Sequence, residues 1–142
     1  MFRKLRTTDY YKGYLELLSQ LTSCDKDTIT YEAFTKKLEL IEMSGIYIAV
    51  IELEDKIIAT GTLVIEHKFI HGLSSVGHIE DIVVDSSYRG KGFGIKIIEH
   101  LVNKSKECLC YKVILDCNDN NVDFYKKCGF SVKGVQMSIY HS

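Results

Sequence analysis

The segment Arg89-Gly90-Lys91-Gly92-Phe93-Gly94 carries the clearest chemistry in this sequence. Its alternating glycines let a backbone turn close on a ligand with no Cβ in the way. Between a strand and a helix, such a turn aims unpaired N–H groups and the positive end of the helix dipole at one point. A phosphate or pyrophosphate is the natural guest there. Arg89 and Lys91 add cationic reach. Two familiar phosphate loops are excluded by spacing. A P-loop ends in Gly-Lys-Ser/Thr, and here Gly94 is followed by Ile95-Lys96. A dinucleotide fingerprint has its third glycine three positions after the second; Gly94 comes only two after Gly92.

Acidic residues form the second group. Glu80 and Asp81 are neighbours in an otherwise apolar run, where they are poor core material. On a regular strand they would face opposite sides, unless a β-bulge intervenes. Asp116 ends another apolar run just before Asn120-Asn121, and ligands of open α/β sheets collect at strand C-terminal ends. Metal chemistry has less support. Zinc ribbons use paired C-x-x-C elements, and the close cysteine pair here is Cys108-x-Cys110. His67 and His71 have metalloprotease spacing, but Lys68 stands where the glutamate base belongs, so no metal is expected. The five cysteines read as reduced thiols, with Cys117 and Cys128 as small buried hydrophobes.

These residues need elements to position them. Phe2 to Leu5 reads as a short strand, and Asp9 as the N-cap of a helix from Tyr10 to about Leu21. Thr30 caps a second helix with Phe34, Leu38 and Ile41 on one face, closed by Gly45. Tyr47 to Leu53 and Lys56 to Glu66 form a hairpin through Glu54-Asp55, and Lys68 to Ser75 is a loop. A strand from about His78 to Val84 leads into the glycine-rich turn. The longest helix runs from Ile95 to Leu109. A strand at Tyr111 to Leu115, a short helix at Val122 to Cys128 and a strand segment from Phe130 to Ile139 finish the chain. The order β-α-α-β-β-β-α-β-α-β predicts an α/β fold: a mixed sheet flanked by helices.

Composition narrows the class. The 142 residues are 46% hydrophobic and 26% charged with net charge -1, which suits one globular domain spanning 1–142. The charge balance argues against a nucleic-acid binder. No apolar run approaches the roughly 20 residues needed to cross a bilayer. The opening Met-Phe-Arg-Lys-Leu-Arg turns polar before a signal-peptide core can form, so a cytoplasmic protein is expected, with no membrane partner.

Arg89-x-x-Gly92-x-Gly94 between strand and helix resembles the pyrophosphate loop of the GNAT superfamily of acyl-CoA N-acetyltransferases. The later Asn121-Val122-Asp123-Phe124-Tyr125-Lys126-Lys127-Cys128-Gly129-Phe130 resembles that superfamily's second acetyl-CoA motif. Gly77 to Val84 and Cys110 to Cys117 are similar, more narrowly, to its glucosamine 6-phosphate N-acetyltransferases. The resemblance implies the GNAT fold and direct acetyl transfer from acetyl-CoA to the amine of glucosamine 6-phosphate. The product would feed UDP-N-acetylglucosamine synthesis. It implies acetyl-CoA contacts from Ile82, Val83, Val84, Arg89, Gly90, Lys91, Gly92, Phe93, Gly94, Asn121 and Tyr125. Asp116 would act beside the acceptor amine as general base or as its positioner, and the Tyr125 phenol would protonate the leaving thiolate. Thr22, Lys68, His71, Glu80 and Asp81 would hold the sugar phosphate. A homodimer with shared acceptor sites is also implied. This chain has Tyr140 where relatives carry a basic residue near the C-terminus, leaving the phosphate grip to His141 or a partner subunit. A GNAT-fold enzyme acting on a protein or small-molecule amine is the alternative. A catalytically inactive acyl-CoA sensor would lack the Asp116–Tyr125 pair.

Overall fold

Two strands rich in Ile, Val and Thr start the sheet. β2 (Tyr47–Leu53) and β3 (Lys56–His67) join through Glu54 and Asp55, both in the left-handed region at φ 50° and 61°. That is the backbone of a two-residue type I′ turn, whose twist matches the strands it connects. The computed structural model describes residues 2–142. β1 (Phe2–Lys4) pairs with β2, and β4 (Ser75–Val84) with β3, all antiparallel; β5 (Cys110–Ile114) lies parallel to β4. The sheet order is β1-β2-β3-β4-β5. The helices are α1 (Tyr14–Leu18), α2 (Tyr31–Met43), a kinked turn α3 (Ile70–Leu73), α4 (Phe93–Glu107) and α5 (Val122–Lys127).

Alternation along the strands gives each face of the sheet its own core. Ile48, Val50 and Ile57 pack with Leu15, Leu17, Phe34 and Leu38 from α1 and α2. Ala49, Ile51, Ile58 and Leu63 pack on the other face with Ile97, Ile98 and Leu101 of α4. Helices thus cover both faces of a mixed sheet, as the element order implies.

The fold departs from the sequence reading at both ends. The expected Tyr10–Leu21 helix is a 3-10 turn over Thr7–Lys12 followed by α1, broken where Gly13 turns left-handed at φ 81°. Asp9 is no cap for it. The Asp9 side chain is fully buried, takes the Arg6 N–H at 2.8 Å, and is held by two Arg3 nitrogens at 2.7 and 2.8 Å. Asp9 is instead the third residue of the 3-10 turn, closing back on the N–H of its N-cap Arg6, and its burial demands the Arg3 partner as well. The expected strand over Phe130–Ile139 is absent: positions 130–142 adopt no regular structure. An alternating apolar pattern becomes a strand only where a sheet edge accepts its hydrogen bonds. This tail pairs with no described strand of its own chain.

The feature that shapes the site is in β4. Thr60 pairs with Val83 and Thr62 with Glu80, so β4 has one residue more than β3 at this point. The extra residue makes a β-bulge, with Asp81 left-handed at φ 51°. Gly61 lies opposite. A Cβ there would sit 2.5 Å from Ile82 Cδ1 and 2.7 Å from Ile97 Cγ2, so the bulge and α4 can close on β3 only at a glycine. Pairing of β4 with β5 ends at His78–Ile114, while β4 runs on to Val84. Beyond that point the sheet opens.

Candidate active site

The opening in the sheet holds two clefts. The first, about 600 Å³, is floored by Ile82–Val84 and walled by the glycine-rich loop, the start of α4, and Asn121, Phe124 and Tyr125. The β4 backbone past the bulge is paired to β3 on one side and has no strand on the other, so its outward polar groups are open to a ligand, except the Val84 C=O, which accepts from the Arg89 side chain. Gly90 and Gly92 turn left-handed at φ 77° and 86°, which only glycine does without strain. The first α4 bond back to the loop is Lys96 N–H to Gly92 C=O, so the N–H groups of Phe93 to Ile95 lack helical partners. A Cβ on Gly94 would meet the Phe124 ring at 3.3 Å, so this glycine lets α5 pack onto the start of α4. The cradle suits a pyrophosphate at its loop end and a linear amide chain along β4.

The second cleft, about 410 Å³, is lined by Thr22, Glu80, Asp81, Asp116, Cys117 and Gln136, among others. The bulge explains why two neighbouring acids both face it. Leu21, Ile82, Asn121 and Tyr125 line both clefts, so one opens into the other with Tyr125 at the junction. Gln136 Nε2 donates to Asp116 Oδ2 at 3.2 Å. Burial first, then the neighbouring Asp81 and Asp116 carboxylates, push the Glu80 carboxyl above its usual range. Burial likewise pushes the Tyr125 phenol up, with Cys117 and Cys128 adding to it, so it stays protonated at neutral pH.

Residues 4–130 match the model of the acetyltransferase (GNAT) family. The chain belongs to that family. A GNAT chain of this kind is an acetyl-CoA-dependent acyltransferase. The glucosamine 6-phosphate N-acetyltransferase of Arabidopsis thaliana is 49% identical to it, over 97% of this chain and 94% of that protein. Glucosamine 6-phosphate N-acetyltransferase 1 of Dictyostelium discoideum is 47% identical over 98% and 89%. The crystal structure of the Arabidopsis enzyme superposes with a TM-score of 0.95 at 47% identity, covering 100% of this chain and 98% of that one.

The GNAT fold brings together most of the residues singled out from the sequence. Ile82, Val83, Val84, Arg89, Gly90, Gly92, Phe93 and Gly94 line the first cleft, and Thr22, Glu80, Asp81 and Asp116 the second. Lys91 stays on the rim, its ammonium 5.3 Å from the Tyr88 ring centroid. Arg89 is tied back by its Nε donating to the Val84 C=O at 3.1 Å.

Lys68 and His71 are not in either cleft of this chain. Lys68 pairs with Glu66 at 3.3 Å, and His71 stacks on Tyr111 with ring centroids 4.2 Å apart. Both belong to the α3 end of β4. From Ser75 to Glu80 the strand rises on the order of 17 Å. Cys117, read as a buried hydrophobe, is exposed and lines the acidic cleft, because the chain leaves the sheet at Ile114. Cys128 is half-buried. Among the described residues no group of three His, Cys, Asp or Glu side chains is placed to hold a metal. Gln20, Leu21 and Gln136 line the clefts without having been singled out. Leu21 and Gln20 adjoin Thr22 and were within reach of that argument. Gln136 was not, since only the fold brings it to Asp116.

Proposed function

We propose that this chain acetylates the amine of glucosamine 6-phosphate with acetyl-CoA, by direct transfer between two substrates bound together. The observation that carries the reading is the junction of the clefts: an acidic cleft holding Asp116 opens at Tyr125 into the cleft of the glycine-rich loop. No covalent acetyl-enzyme is required, because the acceptor amine reaches the thioester carbonyl directly. Asp116 takes the amine proton, and Tyr125 gives its hydroxyl proton to the departing sulfur. The N–H groups at the start of α4 and the freed backbone of Ile82–Val84 hold the pyrophosphate and amide arm in line. Support for the acceptor comes from relatives of that name at 47% and 49% identity over nearly the whole chain.

Thiol release from acetyl-CoA with a panel of amines tests this. Glucosamine 6-phosphate is expected to be the best acceptor, and unphosphorylated glucosamine far poorer. One observation favours a second reading: three carboxylates line the acidic cleft, and neither Lys68 nor His71 does, as would suit a cationic acceptor. Faster turnover of a polyamine or a protein amine would overturn the sugar phosphate.

The same reading includes a homodimer in which the tail, about Gly134 to Ile139, contributes to the partner's acceptor site. Val135, Met137 and Ile139 are 91%, 91% and 85% exposed in the single chain, beside Gln136, which reaches Asp116. Apolar side chains spaced along such a tail are what a second copy would cover. Sedimentation at assay concentration should give a dimer; a fully active monomer would contradict it.

A further inference from the structure

One wall of both clefts is built by the few residues that overhang the end of α1. Gln20 lines the acyl-CoA cleft, Thr22 the acidic cleft, and Leu21 both. Their backbone bonds return only to α1: Gln20 N–H to Leu17, and the Leu21 and Thr22 N–H groups to Leu18. Among the described residues, the hydrogen bonds that tie this overhang to the rest of the site come from the Gln20 side chain. Its Oε1 accepts the Ser86 N–H at 2.9 Å, and its Nε2 donates to Asp85 Oδ2 at 3.2 Å. The Ser86 N–H can only donate, which fixes the amide oxygen on that side and the amide nitrogen toward the carboxylate.

Asp85 is the hub of the turn between β4 and the glycine-rich loop. It is only 4% exposed. Its Oδ1 accepts the Ser87 N–H at 2.8 Å, its N–H donates to the Ile58 C=O at 2.8 Å, and its C=O takes the Tyr88 N–H at 2.8 Å. Lys56 Nζ lies 3.2 Å from Oδ2. Asp85 therefore orients the chain entering the loop, and Gln20 grips that hub and its neighbour at once. We infer that Gln20 is a positioning residue that locks the α1 overhang to the entry of the acetyl-CoA loop, so that one side chain sets the geometry of both clefts. Gln20 touches neither reacting group, so its loss changes binding more than chemistry. This role rests on the first cleft being the acetyl-CoA site and not on the identity of the acceptor.

Gln20→Met keeps the side chain's length and removes both polar ends. Calorimetry with acetyl-CoA alone should show its Kd raised about tenfold, because only part of the free energy of two hydrogen bonds within the protein is felt at the ligand. The KM of the amine that the wild type uses should rise several-fold through Leu21 and Thr22. Turnover at saturation of both substrates should stay within about twofold. A merely structural role would lower the melting temperature and leave Kd and KM alone. A swap supplies the rescue. Gln20→Glu sets two carboxylates against each other, and Asp85→Asn presents an amide to an amide. In the double variant, the amide now at position 85 can donate to the carboxylate now at position 20, which still accepts the Ser86 N–H. Acetyl-CoA affinity should then return toward wild type. The positioning role is overturned if folded Gln20→Met binds acetyl-CoA within twofold of wild type, or if the double variant is no tighter than the single ones. Should the wild type ignore glucosamine 6-phosphate while Gln20→Met still loses acetyl-CoA affinity, the acceptor reading fails and the role of Gln20 stands.

Discussion

Asp116→Asn should lower kcat with glucosamine 6-phosphate by roughly 10²- to 10³-fold near neutral pH, the range expected for loss of a positioned base. The loss should then shrink as pH rises through the pKa of the acceptor amine. Three carboxylates, Glu80, Asp81 and Asp116, line the acidic cleft, and their charge favours the ammonium form of a bound amine. An ammonium cannot attack the thioester, so a proton must leave before transfer. Asp116 sits where the chain has just left β5, with Gln136 donating to Oδ2 and Oδ1 free for the amine. Asparagine keeps the shape and a hydrogen-bond acceptor but cannot take the proton. At high pH the amine arrives neutral and the base is no longer needed. Profiles of kcat against pH for wild type and Asp116→Asn decide the matter. A deficit that is equal at all pH values would make Asp116 a positioner. An alkaline recovery seen for Glu80→Gln and absent for Asp116→Asn would move the base to Glu80, whose carboxyl already holds its proton to higher pH than an ordinary glutamate.

What could be read from the sequence, and what could not, follows from how far each feature reaches along the chain. The Glu54-Asp55 turn and the Gly90–Gly94 loop are written in residues a few positions apart, and the structure turns at both; Asp81 signals by its charge that β4 is irregular, but its left-handed backbone is imposed by the pairing with β3. Asp9 misled because its partner is set by tertiary structure: a carboxylate before a tyrosine-rich run looks like a helix cap until Arg3 is brought against it. Gly13 then breaks what its neighbours' apolar spacing would otherwise extend. The Phe130–Ile139 pattern is that of a strand, but a strand needs an edge, and no sequence pattern says whether its own chain offers one. Lys68 and His71 show the same limit at the site. Their residue types suit a phosphate, yet the length of β4 and the position of its bulge decide how far they lie from Glu80. Gln136 was illegible for the converse reason, as its neutral side chain gains a role only from the path of the tail past Asp116.

Tyr125→Phe should lower kcat by about 10²-fold while leaving acetyl-CoA affinity nearly intact. The low end of the usual range for a positioned proton donor applies because a thiolate is already a good leaving group. Packing is held constant by the choice of variant. The Tyr125 ring meets Phe124 and Phe130 edge-on, with centroids 5.1 and 6.1 Å away, and a phenylalanine keeps both contacts. Only the hydroxyl at the junction of the clefts is removed. That hydroxyl is most useful when negative charge builds on sulfur, so its loss should fall on kcat and not on KM. Its protonation can be followed by sign. Burial lifts the phenol above its ordinary value of 10.0, so the proton is present through neutral and mildly alkaline pH. The wild type should therefore keep its kcat as pH rises to about 9, and Tyr125→Phe should run parallel to it at a lower level. This differs from Asp116→Asn, whose deficit closes with pH. Single-turnover measurement, in which chemistry limits the rate, is the experiment. A Tyr125→Phe enzyme with wild-type single-turnover rate would reduce Tyr125 to a packing residue.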